Sequence, residues 1–430
     1  MYRIIFILLS LSKLSCFDKP KFTKSKEIPF PEGSQQYPYR FQFNADGEFI
    51  FSFYRFYEKS PSEQEIDPSL MHLNKDNKLV EFRTEKPLYS VMGFTINRNN
   101  KSYILDQGVV HSASTVDQNT SKIMVRDNGN EEIYNFTGID LRYSILTDIV
   151  VDHEEKYAYI TDGGIMNNNI PGLIVYDFHN KKSYKVLNND DSFRQKQTIN
   201  DDQNDILKNV GINSIQISCD DETIYYSSIG NKTLYYVSTK DISDAIEKFK
   251  KSNEKNDLDN IKVNNISLDF ISYQTLISSK NNIFAINKET NDVELSLTID
   301  GELSNYKKDK NQKIEYEKLG KDYSPISINV NDGKLYLLIS NHKESGDGRK
   351  LIIYEATLNN DEFNNNVGCT IFIFKLYGTL IFIFVLVFII LCIAIMMIIA
   401  NSGQKLEISN LKKEMEKEAE INELNRQLNE

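Results

Sequence analysis

Six segments of the chain repeat one arrangement of apolar and polar positions. Each opens with an apolar pair two residues apart, passes a polar turn, and returns to an apolar and aromatic cluster nine positions after its first apolar residue. They read FQFNADGEFIFSF from Phe41, FTINRNNKSYILD from Phe94, IVVDHEEKYAYITD from Ile149, IQISCDDETIYYS from Ile215, TLISSKNNIFAIN from Thr275 and ISINVNDGKLYLLIS from Ile326. The steps between them are 53, 55, 66, 60 and 51 residues. Alternation at period two predicts strands, and Asp46-Gly47 and Asp332-Gly333 between the halves predict tight turns, so each segment is a hairpin. Further strands follow in KIMVRDNGNEEIYNF from Lys122, GLIVYDFHNKKSYKV from Gly172, TLYYVSTKD from Thr233 and LIIYEATL from Leu351. Three or four strands per unit, six times over, predict an all-β, six-bladed β-propeller over residues 20–358, in which each small sheet buries its faces against two neighbours. Two unrelated β-sandwiches would leave the constant offset unexplained. The polar stretches DAIEKFKKSNEKNDLDN from Asp244 and SNYKKDKNQKIEYEKLGKD from Ser304 read as solvated loops between blades.

The two ends carry a different pattern. Residues 1–16 place Arg3 before an apolar run from Ile4 to Leu11 and small residues at Ser15 and Cys16, the layout of a secretory signal peptide. From Leu376 to Ala400 there is no charge. A helix of that length exceeds the roughly 30 Å hydrocarbon core, so 376–400 is expected to span a membrane. Lys405, Lys412, Lys413 and Lys417 follow it, against Lys375 alone in the preceding twenty positions. The positive-inside bias then makes the tail cytoplasmic and the ectodomain extracellular or lumenal, a single-pass type I topology in the secretory pathway. The Asn-rich residues 359–375 read as a juxtamembrane stalk. Residues 401–430 read as a helical tail with apolar Ile408, Leu411, Met415, Ile421, Leu424 and Leu428, either a lone helix or a short coiled coil that pairs two copies as a homodimer.

Charge narrows the partners. The 430 residues carry a net charge of -11. That argues against nucleic acid, whose phosphates are held by clustered Lys and Arg. Of four cysteines, Cys16 falls at the end of the signal peptide and Cys392 in the span, which leaves at most one bridge, between Cys219 and Cys369. Sequons at Asn100, Asn119, Asn135, Asn231 and Asn265 make the ectodomain a candidate glycoprotein.

From about Tyr37 to Thr357 the chain resembles the major royal jelly and yellow protein family, in the ordered segments VMGFTINRNNKSYILDQGVV, LTDIVVDHEEKYAYITDGG, GLIVYDFHNKKSYKVL, GINSIQISCDDETIYYSSIGNKTLYYVST and SPISINVNDGKLYLLISNH. The resemblance implies a six-bladed propeller and diffuse functions: pigmentation and dopachrome conversion, binding of biogenic amines, nutrition. Cysteines that insect members carry near Asn97 to Asn99 and His153 to Glu155 are missing, and Tyr103 and Tyr184 stand near the places of expected tryptophans.

In a propeller the starts of the innermost strands converge on the axis. Here that brings together Tyr39 and Arg40, Met92 and Gly93, Thr147 and Asp148, Asn213 and Ser214, Tyr273 and Gln274, and Ser324 and Pro325. Arg40, Asp148, Asn213 and Gln274 are expected to form a polar ring at the channel mouth, with Tyr39 and Tyr273 to stack on a ligand. The reading is a membrane-anchored propeller that binds a small molecule, of the aromatic amine type that the resemblance implies, or an extracellular protein. The alternative is an enzyme, a dopachrome-type tautomerase or a metal-dependent lactonase. For the lactonase, Asp148 and Asn213 are the candidate calcium ligands by comparison with gluconolactonase-like propellers, although Thr147 stands where those have an Asn. The five histidines show no metal-ligand spacing, and no nucleophile elbow or phosphate loop occurs. Asp106 and Asp162, at the ends of blade strands, read as structural acceptors of backbone N–H groups.

Overall fold

Every one of the six sequence hairpins is an antiparallel strand pair, and each pair is the inner edge of a separate blade. The computed structural model describes residues 21–357, apart from 32–33, 35, 56, 58–65, 98, 112–114, 165–170, 189, 197–209, 278–282, 288–291, 297–311, 315–322 and 342–348, together with residues 409–423 and 426. Blade 1 is β2 (Tyr37–Phe43), β3 (Phe49–Tyr54), β4 (Leu70–Leu73) and β5 (Leu79–Glu81). Blade 2 is β6 (Val91–Ile96), β7 (Ser102–Asp106), β10 (Lys122–Asp127) and β11 (Asn130–Asn135), with the ribbon β8 (Val109–His111) and β9 (Thr115–Asp117) inserted. Blade 3 is β12 (Leu146–Val151), β13 (Tyr157–Asp162), β14 (Gly172–Asp177) and β15 (Lys182–Val186).

Blades 4 and 5 share a strand. Following β16 (Ile212–Ile217), β17 (Thr223–Ser228) and β18 (Asn231–Ser238), the long β19 (Asn264–Ile277) pairs with β18 through its first half, as in Leu234 against Ile266. Its second half pairs with β20 (Ile283–Asn287), as in Thr275 against Ala285, and so becomes the innermost strand of blade 5, completed by β21 (Asp292–Ser296) and β22 (Gln312–Ile314). Blade 6 is β23 (Tyr323–Asn331), β24 (Lys334–Asn341) and β25 (Lys350–Thr357), and its outer strand is β1 (Thr23–Pro29), from the other end of the chain. The ring is closed by that N-terminal strand, which the repeat pattern does not reveal.

Contacts between inner strands run β2 to β6 to β12 to β16 to β19 to β23 and back to β2, a closed circuit. Among the described residues, six apolar clusters fill the six junctions. Phe41, Phe51 and Phe53 pack on Leu338 and Ile353 where the last blade meets the first, and Val91, Phe94 and Ile104 on Ile50 and Leu70 at the next. Ile160 and Ile174 pack on Leu105 and Ile123, Ile212 and Tyr226 on Tyr159 and Val175, Ile283 and Ala285 on Leu234, and Leu337 and Ile339 on Phe284 and Ile286. Each strand is thus apolar on faces that a lone hairpin could not bury.

Two expectations need correction. The insert after β18 is not a solvated loop: Thr239–Ser252 is an α-helix (α1) and Asn256–Asp259 a single turn (α2). Ser238 caps α1 by accepting from Asp241 N at 3.3 Å, and Ile242, Ala245 and Ile246, spaced three and four apart, are buried against the junction of blades 3 and 4. Within the second insert, β22 extends blade 5 and buries Ile314.

Contact clustering divides the chain into Met1–Gly368 and Cys369–Glu430. In the second unit residues 409–423 are helical, with Leu411, Met415 and Ile421 exposed. Among the described residues no helix is long and apolar enough to cross a membrane. The expected signal peptide 1–16, stalk 359–375 and span 376–400 lie outside the described residues.

Candidate functional site in the axial channel

All six inner strands carry an irregularity of register at the same level. The pairing slips between Pro38 and Arg40, Val91 and Phe94, Leu146 and Asp148, Ile212 and Ser214, Ser272 and Gln274, and Pro325 and Ser327. A β-bulge leaves its extra residue out of the ladder and re-aims the side chain. The bulged positions include Tyr39, Met92, Gly93, Thr147, Asn213 and Tyr273, so the residues singled out from sequence occupy one layer of the ring. For Tyr273 only the strand position is described.

That layer closes the channel rather than forming its mouth. Blades 1 and 4 are opposite in a ring of six, yet the Tyr39 hydroxyl donates to Asn213 Oδ1 and Arg40 Nη2 donates to Asn213 O at 2.9 Å. Both side chains therefore cross the axis, with the Arg40 guanidinium 4.4 Å from the centre of the Tyr39 ring. Tyr39, Met92, Thr147 and Asn213 are all buried. Thr147 joins blades 3 and 4, its hydroxyl 2.7 Å from that of Thr161 and 3.1 Å from Ile212 O. Gly93 lets blade 2 come in: a Cβ there would lie 2.5 Å from the Asp148 Cα. Ser324 and Pro325 are buried in β23 and line no part of the cavity.

Past this plug lies a cavity of about 220 Å³ lined from all six inner strands. Its closed end carries Arg40, Asp148, Ser214 and Gln274, all buried. Two positions further along the strands come Gln42, Val150, Gln216 and Asn329, joined by Thr95, all half-exposed. The cavity therefore opens at the end opposite to the one expected. This second tier was missed from sequence, although period-two alternation from Arg40, Asp148 and Ser214 points to it.

Most polar groups of the cavity are committed to neighbouring blades. Gln42 Nε2 donates to Phe94 O at 2.6 Å, Asn329 Nδ2 to Phe41 O at 3.0 Å and Ser214 Oγ to Thr275 O at 2.8 Å, while Gln274 Oε1 accepts from Ile328 N at 2.9 Å. Arg40 differs. It is 4% exposed, and among the described residues neither its Nε nor its Nη1 has a hydrogen-bond acceptor. Its partner in charge is Asp148, with Oδ2 3.8 Å from Nε, beyond hydrogen-bond reach. Asp148 accepts from Ile149 N at 3.0 Å. Burial pushes its carboxyl up to about 6, against the opposing pull of Arg40 and of the Ile149 and Ile215 amides.

The calcium reading gains little. Among the described residues no three His, Cys, Asp or Glu side chains come together as metal ligands, and Asn213 Oδ1 already accepts from Tyr39. Asp106 and Asp162 are structural acceptors: each takes three backbone or hydroxyl donors and a buried or half-buried lysine, Lys122 at 2.6 Å and Lys185 at 2.7 Å. One sequon fails sterically. Asn231 is buried, its Nδ2 3.2 Å from the Tyr235 hydroxyl, whereas Asn100, Asn119, Asn135 and Asn265 are exposed.

The sequence matches the major royal jelly protein family over residues 89–316, just over half of the chain. The chain belongs to the major royal jelly protein family. No curated protein matches it. Among solved structures it is similar to virginiamycin B lyase from Staphylococcus aureus, at 14% identity over 79% of this chain and 100% of that one, with a TM-score of 0.44. It is also similar to a putative gluconolactonase (10% identity, 80% and 97% covered, TM-score 0.44) and to a luciferin-regenerating enzyme (8% identity, 79% and 97% covered, TM-score 0.44).

Proposed function

We propose that this royal jelly family member binds a small organic molecule in its axial cavity, while anchored in the secretory pathway by residues 376–400. The observation that carries the reading is a cavity of about 220 Å³ at whose buried end stand one guanidinium and one carboxylate. A cavity of about 150 Å³ holds a benzene ring, so this one admits a ring with a substituent. The family's secreted members support the compartment, as does Cys219, which is disulfide-bonded, because disulfides persist in oxidising surroundings. The exposed apolar residues of helix 409–423 are what would pair two copies through the tail.

The family likeness implies an aromatic amine. An ammonium would find one carboxylate, Asp148, already bonded to backbone amides and standing beside Arg40. Calorimetry of the full chain in detergent, with cationic, neutral and anionic benzene derivatives, tests the reading. Saturable heat that disappears in Thr95→Phe, which fills the outer tier, is expected; no heat from any compound would overturn it. The enzyme reading rests on the Asp148 carboxyl, which lines the buried end of the cavity 3.8 Å from Arg40 and which burial raises toward the range in which a carboxylic acid exchanges protons near neutral pH. Dopachrome turnover abolished by Asp148→Asn, or calcium-dependent lactone hydrolysis, would favour it.

A further inference from the structure

The unpaired donors of Arg40 decide the charge of the ligand. A guanidinium always carries its proton, and its planar fork of N–H groups matches a carboxylate. Burying such donors without acceptors costs free energy, so side chains in this state are normally supplied with one. Among the described residues none supplies it. Asn213 O takes only Nη2, Asp148 stays 3.8 Å from Nε, and the amides of Gln42 and Gln274 are bonded to backbone groups of the adjacent blades. The ring of its neighbour Tyr39 and, from across the channel, the carbonyl of Asn213 hold the guanidinium in place. The donors are thus preorganised at the closed end of a cavity whose other lining includes Val150 and Leu276.

We propose that the axial cavity takes a small aromatic or aliphatic monocarboxylate, whose carboxylate accepts from Arg40 Nε and Nη1 while its apolar part lies against Val150 and Leu276. The proposal rests on the small-molecule reading above and reverses the charge implied by the family likeness. A monoanion fits better than a dianion, because Asp148 is the other charged group of the lining and opposes a second negative charge.

The test is calorimetry of the full chain at pH 7 with four probes of one shape: benzoate, benzyl alcohol, benzylamine and phenyl phosphate. Benzoate is expected to bind at least tenfold more tightly than each of the other three, an ordering that needs no variant. Arg40→Gln should weaken benzoate at least tenfold while leaving benzyl alcohol within about twofold, with circular dichroism and the thermal midpoint confirming that the variant folds. Arg40→Lys, which keeps the charge and loses the fork, should fall between them. Benzylamine or phenyl phosphate binding as tightly as benzoate would overturn the proposal, as would benzoate affinity unchanged in a folded Arg40→Gln. If benzyl alcohol or benzylamine bound and was excluded by Thr95→Phe while benzoate did not bind, the carboxylate would fall and the cavity reading would stand. Silence from all four would remove both.

Discussion

Asp148 is held in the channel under opposing influences, and their balance sets a measurable pH dependence. Burial favours its neutral form and Arg40, the other charged group of the lining, favours the ionised one; burial prevails, and the carboxyl sits at about 6 instead of 3.8. A raised acid stabilises the fold fully below its unfolded value, near 4, and that contribution is lost as pH rises through about 6. The displacement corresponds to about 3 kcal/mol. Asp148→Asn keeps an acceptor for the Ile149 amide and has no charge to bury. Relative to the wild type, the variant is therefore expected to gain up to about 3 kcal/mol between pH 4 and pH 7, read from urea unfolding at each pH. A difference that stays flat over this range would show that the carboxylate is not strained. Sequence alone brought Asp148 and Arg40 to one level of the channel, because both follow the start of an inner strand. It could not show that Arg40 reaches across to Asn213, since a side chain's direction at a bulge depends on the ladder slip and not on the residue itself.

At the scale of elements, the hairpins were legible and their partners only partly so. Apolar alternation and Asp-Gly turns mark β2, β3, β23 and β24 directly, because period-two apolar residues flank each turn. The shared strand β19 has no such mark: its halves serve two blades with no turn between them. Helix α1 was hidden by its Lys and Glu content, although Ile242, Ala245 and Ile246 already trace a buried stripe. Strand β1 is the hardest to see, since TKSKEIP is polar and its burial is confined almost to Ile28. Yet β1 joins the ends of the ring, pairing Ile28 with Leu351 and packing it beside Phe53 and Leu338. Ile28→Ala should therefore cost about 2–4 kcal/mol of unfolding free energy, the range for a buried large-to-alanine change. Glu27→Gln, on the opposite and exposed face of the same strand, should stay within about 1 kcal/mol, because its ion pairs with Lys24 and Lys350 lie at the surface. Equal effects of the two in denaturant titrations would mean that β1 contributes by pairing alone and that the closure lacks an apolar lock.

The whole molecule ties topology to surface. Carbohydrate is added in the lumen of the secretory pathway, to asparagines whose side-chain amide meets the transferase; the folded ring accommodates a sugar only where that amide faces solvent. Sequence offers five acceptors without ranking them, because a sequon says nothing about which side of a strand it occupies. The ring ranks them. Asn100 and Asn119 lie in turns, Asn135 ends the outer strand β11 and Asn265 lies in the outer half of β19, all exposed, but Asn231 begins β18 with its amide against Tyr235. A glycan on Asn231 would have to displace that contact and the β18–β19 pairing of Asn231 with Ser272. Expressed with its own N-terminus in a eukaryotic secretory host, the full chain should carry glycans at up to four sites and none at Asn231, as mapped by mass spectrometry after enzymatic deglycosylation in heavy water. Asn231→Gln should leave the mass of the glycosylated protein unchanged, whereas Asn119→Gln should lower it by one glycan. Complete absence of carbohydrate would sink the lumenal placement of the propeller. Occupancy at Asn231 in the folded protein would contradict the register of β18 against β19, and with it the division of that long strand between two blades.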